Sequence, residues 1–345
     1  MQLEIEPRRL RFRAPLRTAY GTLVERELLM VRIVDGQGGV GMGEAAPLEP
    51  YDGASFDAVR AEVEACAELV AGLAEAEPLA AARAACRARC SLPQAAAALD
   101  VALWDLEARR AGRPLAALLG DSPAAGVLVN ASIAATEPGE AAQEGAAAAR
   151  AGFRCVKAKV GVGDDVARVA ALREAVGPRV AIRADANGAW SVEEAVAALR
   201  ALAPLGIELC EEPARGVAAI RAVRAAMAGS VPVAVDESAR EPGALAVGAA
   251  DAVCLKVAGC GGISGVLRDA ATARAAGADV YLASTYDGPI GIAAALHAAT
   301  ALGVARPSGL ATLSLFEDVD DPFPPAAGVI SLPEGPGLGL PAARA

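Results

Sequence analysis

Apolar and polar residues alternate loosely over residues 2–13, again in LLMVRIVD at 28–35, and briefly around Val40–Glu44. The chain is therefore expected to open with three strands, the last two joined by a GQGG turn. From residue 55 the pattern lengthens. Stretches 55–73, 78–89 and 93–111 are rich in helix formers, and Pro78, Pro93 and Pro114 punctuate them. Three strands followed by helices predict an α+β unit over residues 1–122.

After Gly120-Asp121 the rhythm changes. Strand-like runs near 127–133, 153–160, 180–184, 207–210, 232–235, 252–256 and 280–284 alternate with Ala-rich helical stretches, and a weaker run near 309–313 supplies an eighth. Ser191 and Glu194 form an S-x-x-E capping box that starts one of these helices. Strict alternation predicts a parallel sheet, an α/β arrangement in which eight units close as a (β/α)8 TIM-type barrel over 123–320. A doubly wound open sheet is the alternative. Charged residues at the ends of many different strands favour the barrel, because only closure makes them converge. The Pro- and Gly-rich segment 321–345 is expected to pack back on the first unit.

Composition narrows the partners. The chain has 345 residues, 54% of them hydrophobic, and a net charge of −10, which argues against a nucleic-acid surface. Seven cysteines without a CxxC pair predict reduced, buried thiols and a cytoplasmic protein. Cys86 and Cys90, spaced four apart on an expected helix, read as core residues rather than a redox pair. The opening MQLEIEPRRLRFR lacks the apolar core of a signal peptide. The uncharged run Gly288–Ala305 has the length of a membrane span, but its Gly, Pro, His and Ala content predicts a buried barrel helix. No membrane partner is expected; self-association into a homo-oligomer is left open.

The chemistry gathers around CVKAKVG at 155–161. Lys157 and Lys159 lie two apart, so a strand puts both ammonium groups on one face. Asp185, Glu211 and Asp236 follow at spacings of 28, 26 and 25 residues from Lys157 onward, and Lys256 comes 20 later. Each ends an apolar run at about the length of one strand plus one helix. Three carboxylates offering only oxygen suggest a hard cation such as Mg²⁺, with Mn²⁺ as a substitute. A lysine among apolar strand residues is suited to act as a base. Arg183, two before Asp185, points inward by alternation and could neutralise the site or hold a carboxylate. Glu212 and Glu237, next to two of the acids, fall on the opposite face by the same alternation. The single histidine, His297, lies in an Ala-rich stretch and reads as packing. GCGGISG at 259–265 reads as a tight turn rather than a phosphate cradle.

KAK, the Asp of DAN, the first Glu of EEP, the Asp of DES and the Lys before a GG turn resemble the enolase superfamily, in its muconate-lactonizing-enzyme subgroup. The resemblance implies a modified (β/α)8 barrel under an N-terminal α+β capping domain, one Mg²⁺ held by Asp185, Glu211 and Asp236, and removal of a proton α to the carboxylate of a small substrate. Lys159 would be the base on one face, with Lys256 opposite. RTAYGTLVERE, GEAAPLEPYDG, DESAREP and GLATLSLFEDV are most similar to the o-succinylbenzoate synthases of menaquinone biosynthesis, which implies a dehydratase. There Lys159 would remove the proton and protonate the departing hydroxyl, and Lys256 would stabilise the intermediate. Lys157 would tune Lys159 or contact the substrate carboxylate, and Ser284 and Thr285 would bind substrate. A muconate-type cycloisomerase or an epimerase of dipeptides or N-acyl amino acids is the alternative. Ala311-Thr312-Leu313 stands where dipeptide epimerases carry an Asp-x-Asp motif, which counts against that activity, whereas GPIG at 288–291 is reminiscent of cycloisomerases. A metal-free Schiff-base aldolase using Lys256, or a barrel recruited only for binding, are readings of other classes; the carboxylate trio opposes both.

Overall fold

The computed structural model describes residues 1–73 and 78–342. Strands β1 (Gln2–Thr18), β2 (Gly21–Val34) and β3 (Val40–Ala45) form an antiparallel meander. The first is longer than expected because it continues through an irregularity between Arg11 and Leu16 to a tight turn at Thr18–Gly21. Helices Phe56–Glu64, Ala67–Ala71, Leu79–Arg89 and Pro93–Arg110 follow. The last has proline in its first turn, where a missing N–H costs nothing. It is buried around most of its circumference, because it lies between the meander and the barrel. Gly41 and Gly43 allow that close approach: a Cβ on Gly43 would sit 1.9 Å from the carbonyl oxygen of Ala98.

The barrel strands are β5 (Ala131–Ile133), β6 (Cys155–Lys159), β7 (Ala181–Asp185), β8 (Leu209–Glu211), β9 (Val233–Val235), β10 (Ala252–Leu255) and β11 (Asp279–Leu282), parallel and hydrogen-bonded in chain order. The structure departs from the sequence expectation at two places. The run 127–133 is two strands, since β4 (Gly126–Leu128) pairs antiparallel with β12 (Val329–Ser331) while β5 joins the barrel. No eighth regular strand forms at 309–313. Pro307 lacks an N–H, and the chain closes the ring with isolated bridges instead, Val129 to Ser308 and Ala283 to Gly309. The chain then turns into a 3₁₀ helix at Leu313–Leu315. The eighth position of the ring is thus an irregular segment.

Contacts between the two units fix the cap over the C-terminal ends of the strands. The Trp104 indole donates to Ser264 Oγ at 2.9 Å, and Asp100 accepts from the Ser264 N–H at 3.0 Å. The segment GCGGISG is the turn leading into helix Ile263–Ala275, with Gly261 and Gly262 both at positive φ. A Cβ on Gly262 would strike the Asp100 side chain, which already fills that helix start. Residues 337–340 pack on the cap: Leu338 N–H donates to Asp105, and Arg109 donates to the Leu340 carbonyl. The run Gly288–Ala305 holds helix Pro289–Ala301, and no helix among the described residues is long and apolar enough to cross a membrane. All seven cysteines are buried and unbridged, and the thiol close to Cys90 is that of Cys66 at 3.8 Å, not that of Cys86. His297 is buried in Pro289–Ala301, where its Nδ1 accepts the Ala116 N–H; burial pushes its pKa down to about 4.

Candidate active site

A cavity of about 210 Å³ opens where the strand ends meet the cap. Lys157, Lys159, Asp185, Asp236, Lys256, Ser284 and Thr285 line it, and Glu211 is buried next to Lys157. A larger groove of about 920 Å³, between the cap sheet and residues 335–342, contains none of these groups.

Strand register explains the convergence. Lys159 is level with Asp185, and Asp185 with Glu211, so neighbouring strands deliver their last inward-facing residue at one height. Lys157 Nζ sits between two acids, 2.9 Å from Asp185 and 2.7 Å from Glu211. Burial opposes its charge, but Asp185, Glu211 and Asp236 outweigh that and hold its pKa well above the ordinary lysine value. Glu211 also accepts a 2.7 Å hydrogen bond from the Tyr281 hydroxyl; burial resists its ionisation, yet Lys157 and Arg183 bring its pKa down to about 2.

Lys159 differs from Lys157. It forms no ion pair within 4 Å among the described residues, and burial lowers its pKa, helped by Lys157 and only partly offset by Asp185 and Glu237. Lys256 is in an ion pair with Asp236 and donates to the Tyr51 hydroxyl at 3.0 Å. Burial pulls its pKa down, but Asp236 and Tyr51 more than compensate, so it is held as an ammonium. Around the ring from β5, Lys159 stands on the second strand and Lys256 follows the sixth, so the two amines face each other across the cavity. Asp185, Glu211 and Asp236 come from the arc between them.

The carboxylates suit a hard divalent cation. Oxygens of Glu211 and Asp236 lie within 4.8 Å of each other, and Lys157 bridges Glu211 to Asp185. Cys254 belongs to the same cluster, but burial pushes its thiol well above its ordinary pKa and leaves it protonated, a poor ligand.

Arg183 lies beneath the cavity rather than in its wall. It is fully buried, pairs with Glu208 at 3.3 Å, donates to the Pro307 carbonyl and stacks over Tyr281. Alternation gives the face of a strand residue but not its depth. The Thr285 hydroxyl is taken up by Asp287 at 2.8 Å, and Ser284 Oγ lies 3.0 Å from Thr312 Oγ1. Glu212 packs away from the cavity, accepting from the N–H groups of Asp236 and Ser238 at 2.8 and 3.1 Å. Glu237, expected on that same side, instead lines the cavity. Strand β9 ends at Val235 and a 3₁₀ turn starts at Glu237, so alternation no longer applies there.

Sequence reasoning missed Tyr20 and Tyr51, which enter from the cap. Tyr20 donates to Glu237 at 2.6 Å, and Tyr51 donates to Asp236 at 3.2 Å. It also missed Asn187, which reaches both Asp185 and Glu237. The DAN segment carried a signal for it, since an amide two residues beyond a carboxylate favours a local turn.

This fold and site define a capped barrel with a cavity of acids and lysines at its mouth. Residues 2–120 match the family described as mandelate racemase / muconate lactonizing enzyme, N-terminal domain, and residues 140–344 match enolase C-terminal domain-like. The chain belongs to the mandelate racemase / muconate lactonizing enzyme family of the enolase superfamily. It is 32% identical over 349 residues to L-Ala-D/L-Glu epimerase of Bacillus subtilis (strain 168), covering 94% of this chain and 92% of that one. It is 40% identical over 218 residues to o-succinylbenzoate synthase of Thermobifida fusca (strain YX), covering 59% and 66%. The dipeptide epimerase of Enterococcus faecalis V583, solved with Mg and L-Leu-L-Tyr, superposes with a TM-score of 0.88 at 28% identity over 98% of both chains.

Proposed function

We propose that this protein epimerises the carbon α to a carboxylate in a dipeptide or another N-acyl amino acid. The observation that carries this reading is the pair Lys159 and Lys256, facing each other from the second and sixth positions of the ring. Inversion at a carbon needs a base on one face and an acid on the other. Lys159, with its lowered pKa, takes the proton. Lys256, held as an ammonium, returns one from the opposite side. The roles reverse for the other epimer once both amines have re-equilibrated with solvent. Lys157 stays a cation between Asp185 and Glu211 and limits the repulsion that an incoming carboxylate would meet. Asp185, Glu211 and Asp236 would hold Mg²⁺, which when bound offsets the negative charge that grows on the substrate carboxylate as the adjacent C–H breaks. The epimerase reading gains support from the near-complete coverage of the dipeptide epimerases. It replaces dehydration as the leading activity.

Dehydration of the o-succinylbenzoate synthase kind is the second reading. The observation in its favour is the higher identity, 40%, over part of the chain. Lys159 alone would then move protons, and Lys256 would act by charge. Chiral chromatography of N-acyl amino acids and dipeptides incubated with the Mg²⁺-loaded protein tests the first reading. Formation of the second epimer supports it. A conjugated product from a β-hydroxy acid precursor, with no epimer formed, would replace it with the second.

A further inference from the structure

Lys157, Lys159 and Lys256 are the only lysines in the chain, and they are held differently. Lys157 lies between Asp185 and Glu211, and Lys256 is tied to Asp236 and Tyr51. Lys159 Nζ has no hydrogen bond or ion pair among the described residues. A base must be neutral to take a proton, and an acid close enough to aim it would keep it charged. The aim of Lys159 therefore depends on its main chain.

That main chain is gripped from one helix. Strands β5 and β6 pair as far as Ile133 and Ala158, so Lys159 stands one residue past the ladder on that side. The next amides of the β5 segment, Ala134 and Ala135, are taken by Glu144. The guanidinium of Arg168, in helix Asp165–Val176, fills the gap. Its Nη2 donates to the Lys159 carbonyl at 2.7 Å, and its Nη1 donates to the Thr136 carbonyl at 3.0 Å. Asp165 accepts from the same Nη2 and, through its other oxygen, from the Gly161 N–H at 2.7 Å. Between these two points the Val160 N–H donates to the Asp185 carbonyl at 2.8 Å. Three consecutive residues, from the base onward, are thereby fixed.

Capping and packing of the helix do not account for this arrangement. Asp164 already caps the helix, accepting the Ala167 N–H at 2.9 Å. Val169 and Leu172 supply its apolar face, both fully buried. Arg168 is 1% exposed, and its Nε has no partner among the described residues. Burying a cation with an unpaired donor costs stability. What the guanidinium supplies is geometry, because its planar fork joins two carbonyls and a carboxylate at fixed angles.

We propose that Arg168 is the positioning residue for Lys159, acting with Asp165 through the main chain at the end of β6. The assignment rests on Lys159 being a base of the proposed epimerisation and names the group that aims it. Proton transfer depends steeply on such aim, since a misplacement of about 1 Å can cost about 100-fold in rate.

Arg168→Met keeps most of the side-chain length and removes the fork. Exchange of the α-proton in D₂O by the Mg²⁺-loaded protein is followed by NMR for each enantiomer of an N-acyl amino acid or dipeptide. The enantiomer deprotonated by Lys159 should lose at least about 10-fold in kcat with KM changed by less than about 3-fold, and the other should stay within about 3-fold in both. Arg168→Lys, which can reach one carbonyl, should recover part of the loss. Equal losses for the two enantiomers overturn the assignment. Should Arg168→Met not fold, Asp165→Asn decides in its place. It keeps the shape of the side chain but leaves one acceptor for two donors, so the same asymmetry is expected and equal losses again overturn it.

If no substrate exchanges with the unaltered protein, the epimerase reading fails, and the positioning is decided without substrate. With [ε-¹³C]lysine, Lys157, Lys159 and Lys256 give the only labelled side-chain signals. In the variant, the titration midpoint of Lys159 should rise toward the ordinary value of 10.5 as its amine leaves its half-buried setting, while the other two signals stay in place. An unmoved Lys159 midpoint, or equal movement of all three signals, overturns the assignment.

Discussion

The phenol of Tyr51, a residue of the cap, accepts a 3.0 Å hydrogen bond from Nζ of Lys256 on the barrel and gives one of 3.2 Å to Asp236. One residue from the first unit thereby restrains the ammonium of the second. The Arg240 guanidinium lies 4.5 Å over the Tyr51 ring and donates to the Tyr51 carbonyl at 2.9 Å, which fixes the ring in turn. Tyr51→Phe keeps the ring and removes the hydroxyl. Hydrogen bonds to a charged group are worth about 1.5–3 kcal/mol, so proton exchange through Lys256 should fall about 10- to 100-fold. Exchange through Lys159 should change by less than about 3-fold. Deuterium incorporation into each enantiomer, measured separately, checks this; an equal loss for both would show that Tyr51 acts on the fold and not on Lys256.

The lysines also set the pH profile. Lys159 acts as a base only when neutral, and its folded pKa lies below the ordinary lysine value of 10.5, with burial as the main cause. The kcat/KM for the epimer deprotonated by Lys159 should therefore rise with pH and level off below 10.5. A rate still climbing tenfold per unit beyond that pH would show that Lys159 has no lowered pKa.

Much of this site can be read from the chain because barrel geometry is periodic. Lys159, Asp185, Glu211, Asp236 and Lys256 each end an apolar run, and the cavity or its floor receives all of them. The residues that escaped are those whose position depends on something other than strand period. Glu237 sits where β9 has given way to a 3₁₀ turn. Tyr20 and Tyr51 come from a turn and a short helix of the cap, over 100 residues away in sequence from their partners Glu237 and Asp236. Arg183 has the expected face but sits one layer too deep. The eighth strand failed for a local reason, proline at 307 and glycine at 309, and isolated bridges replace it.

The cation site gives a test that needs no substrate. Mg²⁺ binding to the folded protein should raise its melting temperature with the logarithm of Mg²⁺ concentration once that exceeds Kd, and EDTA should reverse this. Asp185→Asn should weaken Mg²⁺ binding at least about 10-fold while the apo protein melts within a few degrees of the original, because the amide keeps the shape of the carboxylate. Calorimetric titration checks both; unchanged Mg²⁺ affinity in Asp185→Asn would remove that residue from the ligand set.

Stability should depend on Glu44. This half-buried residue of β3 accepts the Gly288 N–H at 2.7 Å, at the start of helix Pro289–Ala301. Burial, with Asp287 nearby, pushes its pKa up to about 8 from 4.5. A carboxyl with a raised folded pKa contributes stability that is complete below its unfolded value and is lost as pH rises to the folded one. Between pH 4.5 and about 8 the protein should therefore lose stability relative to Glu44→Gln, with a slope of at most about 1.4 kcal/mol per pH unit, and the difference should be flat outside that window. Urea unfolding of both proteins across the range tests it, and parallel stability curves would contradict it.

The opposed lysines are tested most directly by following single enantiomers of one N-acyl amino acid substrate in D₂O with Lys159→Ala and Lys256→Ala. General acid–base groups of this kind are worth about 10²- to 10⁴-fold. Each variant should lose exchange by that factor for one enantiomer, the opposite one in the two variants, while keeping exchange of the other. Loss of both enantiomers in Lys159→Ala together with retention of both in Lys256→Ala would contradict the account and leave a site with one base.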